Sequence, residues 1–211
     1  MSGFFITFEG GEGGGKSTVG WEVANYLMTQ GFNATVVDDN SSTEGSTEIR
    51  NILVRGDKNR WFAQSEVFLF CAGRYDIVRR VIRPALNAGT IVICDRFTDS
   101  TLVYQGYAGG LPVEDVKRCT DLACDGLIPD LTVIFDLDAK LALERSGGYS
   151  KGEDRFESIG LEFHSKVRDG FLRIAANEPE RCVVVDASQP LEVVVDTVKK
   201  AVLERLSTRR K

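Results

Sequence analysis

The stretch Gly10-Gly11-Glu12-Gly13-Gly14-Gly15-Lys16-Ser17 constrains this chain more than any other. It fits G-x-x-x-x-G-K-[ST], a loop whose backbone N–H groups cradle phosphate oxygens. Glycines let the backbone curl tightly and approach an anion with no Cβ in the way. Lys16 brings a point charge for β and γ phosphates, and Ser17 brings a hydroxyl suited to Mg²⁺. The flanks comply. Phe4-Phe5-Ile6-Thr7-Phe8 reads as a short strand, and Val19, Val23, Tyr26 and Leu27 recur at helical spacing until Gly31. Strand, loop and helix in that order turn the positive end of the helix toward the same anion.

The rest of the chain repeats the alternation. Asn33 to Val37 reads as a second strand, and polar Asp38 to Gly45 as a loop. A short helix carries Glu48, Ile49, Ile52 and Leu53 and ends near Gly56. Helical spacing then runs from Trp61 to Ala88, with Pro84 expected to bend or break it. Thr90 to Cys94, Leu131 to Leu137 and Cys182 to Val185 are nearly continuous apolar runs that end on or beside Asp95, Asp136 and Asp186. Such runs fit strands buried on both faces of a parallel sheet. Helical patterns separate them at Val113 to Gly126, Lys140 to Arg145, Glu157 to Asn177 and Leu191 to Leu206. The expectation is a doubly wound α/β fold of the P-loop NTPase type, a parallel sheet of about five strands with helices on both faces. Ligands of such sheets bind beyond the carboxyl ends of the strands, where the glycine loop, Asp38-Asp39 and Asp95-Arg96 should converge.

Bulk properties narrow the class. With 211 residues and no Pro/Ser-rich linker, the chain reads as one domain, 1–211. A net charge of −5 argues against a nucleic-acid or anionic-membrane partner. The cysteines number five, an odd count with no C-x-x-C pair, so they read as thiols in a reducing compartment. Neither a signal peptide nor a membrane-length apolar run is seen, and a cytoplasmic location is expected.

Other residues acquire meaning beside the loop. Asp95 is a candidate Mg²⁺ ligand with Ser17, and Arg96 a candidate phosphate ligand. Phe70 and Arg74 lie four apart on one helix, so they share a face that fits either a planar base or the core. Gln105 reads either as a reader of base edges or as an ordinary loop residue. Gly147 to Arg155 is Gly-rich and charged, either a closing flap or a surface loop. His164, the sole histidine, reads as structural. The N-K-x-D string that reads guanine is absent. A small kinase, a switch-like ATPase and a non-catalytic nucleotide sensor remain.

Taken together, these stretches resemble the thymidylate kinase family. The resemblance rests on Phe8 to Thr18, Glu66 to Arg74, Val81 to Leu86 and Val92 to Thr101 continuing to Tyr104-Gln105-Gly106, and on Pro129 to Thr132 and Asp154 to Glu157. It spans almost the whole chain. It implies transfer of a phosphoryl group from ATP, the co-substrate, to dTMP, giving dTDP for dTTP synthesis. It implies Mg²⁺, a homodimer and a lid at about 145–156. By resemblance, Gly10, Gly11, Glu12, Gly13, Gly14, Gly15, Lys16, Ser17 and Thr18 hold ATP. Glu12, Asp39, Phe70, Arg74, Arg96, Ser100, Thr101, Tyr104 and Gln105 hold dTMP. Lys16, Asp95, Arg96, Arg145, Lys151 and Arg155 serve the transfer, with Ser17 and Asp95 at the metal.

The chain departs from the family pattern in places. Asp38-Asp39-Asn40-Ser41-Ser42-Thr43 stands where Arg-Glu-Pro-Gly-Gly-Thr is usual, so an acid replaces an arginine. Gly13 stands where some members carry a catalytic arginine, and Gly109 replaces another arginine. Turnover slower than a typical member is expected. The alternatives are a kinase for another deoxynucleoside monophosphate and a nucleotide-binding protein without catalysis.

Overall fold

Residues 3–39, 41–57, 59–146 and 159–209 are described by the structure, a computed structural model. The apolar run before the glycine loop is strand β1 (Phe4–Gly10), and every residue in it is buried. Helices cover its two faces, and its two edges pair with neighbouring strands. These are β3 (Ile91–Asp95) and β4 (Leu131–Asp136), with β2 (Ala34–Asp38) outside β3 and β5 (Cys182–Asp186) outside β4. All pairings are parallel, as the alternation of strands and helices predicts, and the strand order is β2-β3-β1-β4-β5. The register places the chemistry. Asp95 pairs with Phe8 on one side and with Asp38 on the other, and Gly10 pairs with Phe135. The glycine loop and two acidic strand ends therefore share one edge.

Helices cover both faces. On one, Val19, Val23 and Leu27 of α1 (Lys16–Thr29) pack with Val194, Val198 and Val202 of α9 (Leu191–Arg209) against β1, β3 and β4. On the other, Phe5, Val92 and Phe97 meet Ile77, Val78 and Ile82. Each fully buried aliphatic side chain stabilises the fold by roughly 1.5–3 kcal/mol. Helix α6 (Val113–Cys124) flanks this layer, and α8 (Leu161–Asn177) packs on β4 through Val167, Phe171 and Ile174, with His164 buried beside them.

Three local features differ from the sequence pattern. Helix α2 (Glu44–Leu53) begins inside the stretch expected to be a loop. Thr43 caps it: its side chain accepts from the Ser46 amide while Ser46 Oγ accepts from the Thr43 amide. Pro84 does not end its helix. Helix α3 (Ala63–Ile77) widens into a π-helical turn at Val78–Ile82 and continues as α4 (Arg83–Asn87), with Pro84 in the first turn where its missing N–H is harmless. Residues 98–107, where no element was read from the sequence, form α5 (Thr98–Thr101) and a second π-helical turn at Leu102–Tyr107.

All five cysteines carry free thiols; Cys71 is half-buried on α3 and Cys94 is fully buried in β3. Among the described residues no helix is long and apolar enough to cross a membrane.

Candidate functional site

Where β1 ends, the chain turns through Gly10 to Gly15 and enters α1 at Lys16. The Lys16 ammonium is buried against this turn and donates to Gly11 O at 2.6 Å and Gly10 O at 3.3 Å. Burial, then the neighbouring Arg96 charge, lowers its pKa from 10.5 to about 8. Ser17 Oγ donates to Asp95 Oδ2. A hydroxyl and a carboxylate, both hard oxygen donors, thus touch at the carboxyl end of β3. That donor set fits Mg²⁺.

Arg96 follows Asp95 directly and has a left-handed backbone, φ 68°. Its amide donates to Phe8 O at 2.9 Å, which turns the side chain back over the loop. The guanidinium donates to Gly10 O at 2.9 Å, Ser100 Oγ at 3.2 Å and Glu12 Oε1 at 2.7 Å. Glu12 also accepts from the Tyr104 hydroxyl at 2.9 Å. Burial pushes the Glu12 carboxyl up, but Arg96, Lys16 and Tyr104 outweigh it and hold the group at about 2. The Arg96 guanidinium also lies 5.4 Å from the centre of the Tyr104 ring.

A cleft of about 660 Å³ opens over this edge. Its walls are the loop from Glu12 to Thr18, the strand ends Asp38, Asp95 and Arg96, and Arg50 and Arg145. Arg145 stands in the last turn of α7 (Ala139–Ser146) and reaches across the loop to donate to Ala187 O at 2.8 Å and Ser188 O at 3.3 Å. It also borders a second hollow of about 430 Å³, formed by Gly13 to Gly15 and the Ala187 to Leu191 turn. Gly13 explains one departure in physical terms. Its φ is 69°, and a Cβ there would stand 2.7 Å from Ala142 O and 3.1 Å from Arg145 Cβ. Helix α7 occupies the space a side chain at position 13 needs. Gly109 is similarly closed in, since a Cβ would lie 2.6 Å from Tyr104 O.

The candidate acceptor residues fall into linked groups. Arg74 is fully buried on α3, donating to Asp39 through Nε and Nη2, to Thr101 Oγ1 at 2.9 Å and to Phe97 O at 3.1 Å. These bonds commit most of its five donors. Gln105 is 1% exposed and donates to Glu66 Oε2 at 2.9 Å, so its amide is held from the α3 side. Phe70 is half-buried one helical turn before Arg74. Lys151 and Arg155 lie outside the described residues, as does most of the lid. Two residues that the sequence motifs did not single out now stand close by. Arg50 of α2 lines the cleft, and Glu9 is buried under the turn that carries Arg96. A charged residue near the end of a wholly buried strand was the available signal for Glu9. Arg50 sat among ordinary helical polar residues and gave none.

Such an edge grips the phosphates of a nucleotide between backbone N–H groups and fixed cations, the work of the P-loop nucleotide-binding class. Within that class the chain belongs to the thymidylate kinase family, whose sequence model matches residues 8–198. It is 43% identical over 204 residues to a thymidylate kinase of Caulobacter vibrioides, covering 97% of this chain and 98% of that one. A thymidylate kinase of Jannaschia sp. is 42% identical over 207 residues, covering 98% and 99%. Among solved structures, the thymidylate kinase of Ehrlichia chaffeensis superposes with a TM-score of 0.76 at 32% identity, over 95% of this chain and 99% of that one.

Proposed function

We infer that this chain transfers the γ-phosphoryl group of ATP to dTMP, giving dTDP and ADP. Family membership over residues 8–198 supports it, together with one cleft that holds the glycine loop, Asp95 and Arg96. A dTMP phosphate oxygen attacks the γ-phosphorus in line. Both reactants are anions, so the site must offset repulsion and hold geometry. Lys16 serves the β and γ phosphates, and Arg96 with Arg50 serves the acceptor phosphate. Arg145 covers the donor side of the loop, and Lys151 and Arg155 of the lid add charge on closure. No general base is needed, because a phosphate monoester is mostly dianionic above its second pKa of about 6.

Ser17 and Asp95 would hold Mg²⁺, which when bound neutralises charge on the donor phosphates. Arg74, Thr101, Tyr104, Gln105, Phe70 and Asp39 line up behind Arg96 as the acceptor side, with Ser100 and Glu12 between. The whole chain acts as one domain with residues 145–156 as lid. It works as a homodimer: Phe68 and Tyr75, seven apart on α3, are 58% and 48% exposed, and Leu122 of α6 is 79% exposed. Such a face suits a second copy. Free thiols suit the cytoplasm.

A coupled assay with ATP, Mg²⁺ and a panel of deoxynucleoside monophosphates tests the reading. ADP should form fastest with dTMP at limiting acceptor. Equal or faster turnover of dUMP or dGMP would replace the acceptor, and ATP binding without ADP formation would remove catalysis altogether.

A further inference from the structure

We propose that Glu9 is the positioning residue that aims Arg96. The inference rests on the reading of Arg96 as the acceptor-phosphate cation. Glu9 is the next-to-last residue of β1, directly before Gly10 of the glycine loop, and is 0% exposed. Its Oε1 accepts from the Phe97 amide at 2.8 Å and the Ser100 amide at 3.3 Å, and its Oε2 accepts from Ser100 Oγ at 2.5 Å. Ser100 Oγ in turn accepts from Arg96 Nη1 at 3.2 Å. One carboxylate thus fastens the backbone just after Arg96 and, through the Ser100 hydroxyl, the guanidinium itself.

Two facts make this more than a satisfied buried acid. Arg96 is one of only two non-glycine residues with positive φ among those described. A left-handed residue costs about 1–2 kcal/mol and persists where its surroundings fix it. The second concerns chemistry. A buried carboxylate is costly to desolvate, but an apolar side chain here would leave the Phe97 and Ser100 donors unpaired. Only an acceptor with two oxygens can take both amides and the hydroxyl together. A glutamine in its place keeps one oxygen. Its NH₂ would donate to Ser100 Oγ, competing with Arg96 for that acceptor.

The test is a double-mutant cycle on dTMP affinity and kinetics with Glu9→Gln, Arg96→Ala and the pair. Glu9→Gln should raise KM for dTMP by about 10-fold or more while KM for ATP moves less than about 3-fold. In the Arg96→Ala background Glu9→Gln should add less than about 2-fold, since contacts acting through one group are not additive. Independent losses in both backgrounds would overturn the proposal. Amide hydrogen exchange of the nucleotide-free protein is a second arm. Phe97 and Ser100 should exchange faster in Glu9→Gln, and unchanged rates would overturn it. If wild-type protein ignores dTMP, the functional reading fails and the exchange arm alone decides. Should Glu9→Gln not fold, Glu9→Asp keeps the charge but withdraws it from the turn, and the same signature is expected.

Discussion

Arg96 Nη2 lies 2.7 Å from Glu12 Oε1, so a guanidinium from one strand end is tied to the acidic residue inside the phosphate loop. The same guanidinium donates to Gly10 O and Ser100 Oγ. A lysine has one ammonium and cannot reach these directions from a rigid fork. Arg96→Lys should therefore lower kcat/KM for dTMP by about 100-fold or more, roughly 3 kcal/mol, and leave ATP affinity within about 3-fold. Steady-state kinetics with each substrate varied in turn checks the split. A loss shared equally by ATP would move Arg96 to the donor side.

Arg74 and Asp39 form an ion pair whose side chains are 2% and 1% exposed. Removing one partner leaves the other charge buried. Asp39→Asn should destabilise the protein by about 3–5 kcal/mol, read from urea midpoints. A change under about 1 kcal/mol would show that Thr101 and the Phe97 carbonyl suffice for Arg74.

Gly13 allows no side chain. Gly13→Ala should cost about 1–2 kcal/mol from backbone conformation alone, before the contact with Ala142 O. Tm should fall by about 2–4 °C for each kcal/mol in a chain of this size. Gly13→Arg should lower kcat, because the side chain must displace α7. A rise in kcat would mean that α7 yields and that the loop lacks only that cation.

Burial, reinforced by the Asp99 charge, raises the Glu9 carboxyl from 4.5 to about 7, against the pull of Ser100, Arg96 and Arg74. The folded protein thus keeps a proton that the unfolded chain has released. Stability from this group is greatest at low pH and falls as pH rises from about 4.5 to about 7. Glu9→Gln should flatten the plot of urea stability against pH in that window. Parallel plots for variant and wild type would place the pH dependence elsewhere.

Much of this was legible in the sequence. Strands buried on both faces leave apolar runs, and β1, β3 and β4 announce themselves in that way. Their acidic ends mark the edge where Asp95 meets Ser17. Other features depend on contacts that no local pattern carries. The Arg74–Asp39 pair joins residues 35 apart in the chain, so the side chain expected to face a base is held mainly by protein. The cap of α2 is written in Thr43 and Ser46, but in a polar stretch those residues read as loop. The helix at 98–107 is hidden because its second half is π-helical, with the side-chain period of neither an α-helix nor a strand. Glu9 was overshadowed by the motif that begins one residue later.

Incubation with γ-³²P-labelled ATP, Mg²⁺ and dTMP, followed by separation of the products, tests the central claim most directly. The account predicts label in the β-phosphate of dTDP, accumulating in step with ADP. Label that stays in ATP, or appears only as inorganic phosphate, would contradict it.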